Sequence, residues 1–262
     1  MKILIGAAML FIIGCNNYDK KENASMPGAY KMLSQHVKSD STDTTYSSLQ
    51  QMKIYTDDYM MYANVNSPDS VSSFGIGSYS TDKDTVTENV IYNASDTSKN
   101  QTPGTFKLSI EKTAKGYKQI IADMQSQGQH ITLTEDYESV GTATKAPLDG
   151  AWKQTKSYYV VGKDTTVSSN VTQFKTYFAG HVIWGNTYTD SANKTYTSIG
   201  FGTFVMNGAN KVKESMTAST IYQVRGHDFD VDITMNGTDG FTQTMNNKDG
   251  SKSVEVYVRL KK

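Results

Sequence analysis

Apolar and polar residues alternate over short stretches of this chain. Residues 107–111, 229–233 and 254–258 each do so. In the last of these Val254, Val256 and Val258 share one face, and Glu255 and Tyr257 share the other. A period of two marks half-buried strands. Long windows with a helical period are hard to find. Turn chemistry separates the runs, as at Asn66-Ser67-Pro68-Asp69, Thr102-Pro103-Gly104 and Asn236-Gly237-Thr238-Asp239-Gly240. The pattern predicts an all-β chain.

The runs also repeat. Gly28-Ala29-Tyr30-Lys31 matches Gly150-Ala151-Trp152-Lys153, and Gln51-Met52-Lys53-Ile54-Tyr55 matches Gln173-Phe174-Lys175-Thr176-Tyr177. Tyr59-Met60-Met61-Tyr62 matches His181-Val182-Ile183-Trp184, and Gly75-Ile76-Gly77-Ser78-Tyr79 matches Gly200-Phe201-Gly202-Thr203-Phe204. Thr87-Glu88 falls opposite Lys213-Glu214. Phe106, Ile110 and Gly116-Tyr117-Lys118-Gln119 fall opposite Phe229, Ile233 and Gly240-Phe241-Thr242-Gln243. Glu135-Asp136-Tyr137 falls opposite Glu255-Val256-Tyr257. The blocks keep their order at an offset of about 120 residues, the signature of a duplicated unit. Residues 28–140 form the first copy and 150–262 the second, with the boundary near Pro147. Each copy predicts about eight strands, a number that closes into an antiparallel barrel wide enough for side chains or one small ligand. Closure also removes exposed sheet edges. The paired glycines Gly75, Gly77 and Gly200, Gly202 predict a sharp strand bend or a close approach of another chain.

The N-terminus has a different character. After Met1-Lys2 the chain is apolar from Ile3 to Ile13, about half of what a spanning helix needs. A basic start, a short apolar core and a small residue before the cut make a secretory signal. Ile12-Ile13-Gly14-Cys15 resembles the lipobox of bacterial lipoproteins, and Cys15 is the sole cysteine. Residues 1–15 are therefore expected to be an export signal ending at a lipidated Cys15, and 16–27 a polar tether. The chain is expected to be membrane-anchored by lipid in the cell envelope, outside the cytoplasm, with the outer membrane the expected site. Acidic and basic residues balance at 26 each, so no strong field draws nucleic acid.

The blocks together resemble a family of small lipocalin-like domains found in bacterial lipoproteins. The family pattern opens Gly-x-Trp-Lys, passes through His-Phe-Met-Trp-like and Gly-x-Gly-x-Tyr strands, and closes on Glu-x-Tyr/Trp-x-Arg-Leu. The second copy carries Trp152, His181, Trp184 and Glu255-Val256-Tyr257-Val258-Arg259-Leu260. The first departs at Tyr30, Tyr59 and Tyr62 and ends without Arg-Leu. The resemblance implies two tandem barrels, with one or both holding a small apolar or amphipathic molecule. Trp152, His181, Trp184 and Glu214, with Tyr62 and Glu88, are the candidate ligand-binding residues, and the second copy is the better candidate. Glu88 and Glu214 are expected to point outward or to be paired internally, because an unpaired buried carboxylate is costly.

The alternative is a structural or interaction protein whose barrels are filled by bulky residues such as Met60, Met61, Phe74, Ile183, Trp184 and Phe201. Asp228, Asp230 and Asp232 share one strand face that could hold a hard cation; a solvated face is the expectation, since Lys107 and Ser109 stand at the first copy's positions. No nucleophile elbow, phosphate loop or zinc spacing is present, so neither an enzyme nor a cofactor is expected. Asp-Ser/Thr motifs at Asp40-Ser41, Asp43-Thr44, Asp69-Ser70, Asp84-Thr85, Asp164-Thr165 and Asp190-Ser191 resemble bacterial O-glycosylation motifs. Glycans there would require exposed segments.

Overall fold

The computed structural model describes residues 25–66, 72–95, 103–126, 128–142 and 144–262. The signal, Cys15, most of the tether and the Asp69-Ser70 motif lie outside the described residues. The described chain forms two antiparallel sheets of nine strands, each closed on itself. The first comprises β1 (Gly28–Lys38), β2 (Asp43–Tyr46), β3 (Gln50–Tyr55), β4 (Tyr59–Asn66), β5 (Ser73–Asp82), β6 (Thr85–Asn93), β7 (Gly104–Lys112), β8 (Gly116–Ser126) and β9 (Gln129–Ser139). The second comprises β10 (Gly150–Val161), β11 (Asp164–Val167), β12 (Val171–Phe178), β13 (His181–Thr189), β14 (Thr195–Met206), β15 (Lys211–Ser219), β16 (Asp228–Met235), β17 (Gly240–Asn246) and β18 (Lys252–Arg259).

Eight strands close each barrel, through β1–β9 and β10–β18 pairing. The ninth, β2 or β11, is a four-residue strand folded back on the upper part of the strand before it. It escaped the sequence count because it is a short extension of its neighbour's hairpin. The acidic stripe is solvated, as expected: Asp228 lies 2.8 Å from Lys213, and Asp232 lies 3.8 Å from Lys211.

The glycine pairs do two jobs in both barrels. Gly75 and Gly200 sit opposite Tyr62 and Trp184 on the adjacent strand, and a Cβ at either would come within 2.5–2.6 Å of that ring. Gly77 and Gly202 mark the register shifts of β5 and β14, where a Cβ would lie 2.0–2.1 Å from a backbone carbonyl oxygen. These are bulges that bend the wall.

Each barrel has a sealed base and an open mouth. The base is the end where β1 and β10 begin. In the first barrel Tyr30, Tyr55, Tyr79, Tyr117 and Tyr137 pack edge-on and stacked across it. Met26, just before β1, joins this cluster, and Tyr30 OH donates to its carbonyl oxygen. In the second barrel Leu148 plays the part of Met26, accepting from Trp152 Nε1 at 2.8 Å. Arg259 lies over the Trp152 ring at 4.0 Å, a cation–π contact. The first barrel has Tyr30 opposite Ser139 at the matching register, so it lacks this pair.

The barrels lie side by side with mouths at the same end. Tyr92, near the mouth of the first, bonds to Thr187, near the mouth of the second. At the bases Tyr59 OH donates to Lys261 O at 2.7 Å, and Lys262 Nζ donates to Tyr79 O at 2.8 Å. Between them runs an apolar seam of Met52, Ile54, Met61, Ala63, Phe74 and Ile76 against Phe174, Ile183, Ile199 and Phe201. This corrects the expectation that Met61, Phe74, Ile183 and Phe201 fill the barrel interiors. β3, β4, β12 and β13 are largely buried on both faces, and pattern alone does not say which face is inside. The inward face carries Gln51, Lys53 and Tyr55, and the seam takes the other.

Candidate functional site

Above each aromatic base the inward side chains become polar. Alternation along β12 turns Gln173, Lys175 and Tyr177 inward; β15 supplies Glu214, β17 Gln243 and β18 Glu255 and Tyr257. Lys175 Nζ donates to Glu214 Oε1 at 2.8 Å and to Gln243 Oε1 at 3.0 Å. Gln243 Nε2 passes the chain on to Glu255 Oε2 at 2.7 Å, which also accepts from Tyr257 OH at 2.6 Å and Gln173 Nε2 at 3.2 Å. Tyr177 OH donates to Glu214.

The first barrel repeats these seven residues and adds one donor, Gln35 Nε2 to Glu135 Oε1 at 2.8 Å, where the second has Ser157. Lys53 Nζ lies 2.7 Å from Glu88 Oε1 and donates to Gln119 Oε1 at 3.1 Å. Gln119 Nε2 donates to Glu135 Oε2 at 2.5 Å, Tyr137 OH donates to the same oxygen at 2.9 Å, and Gln51 Nε2 donates to Tyr137 OH at 2.6 Å. Tyr55 OH donates to Glu88, as Tyr177 does to Glu214. The lysines and the two paired glutamates are almost wholly buried. Burial, reinforced by the neighbouring carboxylates, pushes Tyr55, Tyr137, Tyr177 and Tyr257 well above the usual phenol range, so they stay protonated donors. Burial also raises the Glu135 carboxyl, against the pull of Lys53 and its hydrogen bonds.

Each network floors a cavity that opens toward the mouth. The second barrel's measures about 230 Å³, walled by Trp184, Met216, Ile221, Val224, Phe229 and Met245. Ile221 and Val224 come from the turn between β15 and β16, which leans over the mouth. The first barrel's cavity is about 270 Å³, with Tyr62, Val90, Phe106, Ile121, Met124 and Leu133 above Lys53, Glu88 and Glu135.

The sequence candidates divide. Trp184 and Glu214 line the second cavity, and Tyr62 and Glu88 the first. Both glutamates point inward and are paired with lysine. Trp152 belongs to the sealed base, beneath Phe241 and Arg259. His181 faces away from the interior, because it precedes the inward Val182 by one residue. It borders a separate cleft of about 540 Å³ beneath the second barrel, with Thr142, Lys145, Pro147 and Val205. Its Nδ1 lies 3.2 Å from Ala179 O, and burial holds its imidazole below the ordinary histidine range, so it stays neutral. Trp152, His181 and Trp184 therefore do not form one site.

The sequence reading passed over Gln51, Lys53, Gln119 and Glu135 with their counterparts Gln173, Lys175, Gln243 and Glu255. A signal was present. With Tyr55, Tyr137 and Glu88, these are positions at which both copies carry the same residue, while their apolar neighbours vary between Met52 and Phe174 or Ile54 and Thr176.

The strand order, the closure of both sheets and the cavity above each base define a tandem pair of lipocalin-like barrels. No family model matches the chain, and no curated protein matches it. Among solved structures it is similar to a lipocalin-like protein from Bacteroides uniformis, at 13% identity and a TM-score of 0.29. That match covers 44% of this chain and 100% of the other.

Proposed function

We propose that this protein is a lipid-anchored binder of the cell envelope, each barrel holding one small amphipathic molecule. The observation that carries the reading is the duplicated cavity: apolar walls over a networked polar floor, built from the same residues in both copies. Ligand sites combine apolar walls with a few placed polar groups in just this way. The volumes suit a small ligand. They fall a little below the roughly 300 Å³ at which drug-sized pockets begin, and above the about 150 Å³ that accepts benzene. The filled-barrel alternative loses ground, because four of the bulky residues it relied on form the seam between the barrels.

Met26 plugs the first base, so a chain anchored at Cys15 would join its barrels from the base side. Ser41, Thr165 and Ser191 are exposed near the mouths, and O-linked glycans on them would ring the openings. No catalytic step is assigned to the networks.

Native mass spectrometry of the purified mature chain should show one or two small molecules retained. Adding such a molecule should raise the melting temperature, as mass action requires, and perturb Trp184 emission while Trp152 stays sealed. An empty spectrum and an unmoved transition across a broad panel would defeat the binding reading. Separately, Cys15→Ala should move the protein from the membrane fraction to the soluble fraction with its melting temperature unchanged. Retention in the membrane fraction, or no fatty-acid label on the wild type, would end the anchoring claim.

A further inference from the structure

Resting on the binding reading, we infer that both cavities select an amphipathic amine, whose cationic head is held by the carboxylate floor, over a molecule with a carboxylate head. The charged groups lining each cavity are one lysine and two glutamates: Lys53 with Glu88 and Glu135, and Lys175 with Glu214 and Glu255. Counted as ionised, these side chains sum to one excess negative charge on each floor. The lysine does not offset this for a ligand, because its ammonium already faces the paired glutamate and the floor glutamine. The glutamine amides are engaged as well, Gln119 on Glu135 and Gln243 on Glu255.

What remains open on the floor is acceptor capacity. Glu88 and Glu214 receive their lysine and tyrosine donors on Oε1, and among the described residues Oε2 of each takes no hydrogen bond. Glu255 likewise takes its three donors on Oε2. In the first cavity Asn64 Oδ1 is buried and has no partner among the described residues. A buried acceptor without a donor is costly, and a ligand that brings the donor removes that cost. An ammonium brings three donors and a positive charge. A carboxylate brings neither, and adds a second unpaired negative charge in a low-dielectric space. The Trp184 and Tyr62 rings on the walls add a face that attracts cations.

The test is a matched series, hexylamine, hexanol and hexanoate, titrated into the mature full-length chain at neutral pH. Trp184 emission reads the second cavity and the melting temperature reads both. Hexylamine is expected to bind at least tenfold more tightly than hexanoate, with hexanol between. Glu214→Gln should shrink the amine's advantage at Trp184, and Glu88→Gln should do so in the thermal shift that remains. The wild-type order stands as a test even if a variant folds poorly. Hexanoate binding as tightly as hexylamine, or more so, overturns this inference and leaves small-molecule binding intact. If none of the three moves either signal while a co-purified ligand is found, the amine inference alone fails. If no ligand is found either, both fail.

Discussion

Lys175→Met is expected to destabilise the protein by about 3–5 kcal/mol, the usual cost of stripping one partner from a buried ion pair. Lys175 and Glu214 are both almost fully enclosed, and the ammonium lies 2.8 Å from Glu214 Oε1. Methionine fills the same space but leaves Glu214 ionised with only the Tyr177 hydroxyl to satisfy it. The penalty is that of an unpaired buried charge, so it should be smaller in acid, where carboxylates are protonated, than at neutral pH. Adding Glu214→Gln should restore most of the loss at neutral pH, since an amide still accepts from Tyr177 without carrying charge. Chemical denaturation of the single and double variants at two pH values checks this. A single variant within about 1 kcal/mol of wild type would show that the pair is not buried as described.

Phe74→Ala is expected to cost a similar about 3–5 kcal/mol, as large-to-small changes at enclosed aromatic positions do. The effect should reach both barrels. Phe74 belongs to the first barrel's wall, yet its ring lies over Gly185 of the second, where a Cβ would approach to 2.6 Å. It stacks on Tyr92 at 5.6 Å, and Tyr92 packs on Phe174 of the second barrel at 5.1 Å. Shape and closeness make the seam part of a shared core, so the wild type should unfold in one calorimetric transition. Phe74→Ala should lower that transition and broaden or split it. Two separate transitions in the wild type, or a variant in which the second barrel is unaffected, would show that the seam does not couple the barrels.

Reading the site from sequence was limited by what each signal encodes. Glu88 and Glu214 stood out because they are charged and repeated, and both proved to be inside and paired. Lys53 and Lys175 did not stand out, because lysine on an alternating strand is ordinarily solvated. Trp152 and His181 were grouped with Trp184 on family pattern alone, although one seals the base and the other faces out.

The sequence by itself determined that the chain is built of strands, that it is doubled about Pro147, and that each copy is long enough to close into a barrel. These follow from period-two alternation, turn residues and self-similarity, all local or collinear properties. Only the tertiary structure decided which face of a two-sided strand lies inside. Along Gln51-Met52-Lys53-Ile54-Tyr55, intuition puts Met52 and Ile54 in the interior and Lys53 outside. The structure does the reverse, because the second barrel offers an apolar wall to Met52 and Ile54, while Glu88 and Gln119 arrive from distant strands to satisfy Lys53. Neither partner is near in sequence, so no window along the chain could have weighed the two faces against each other.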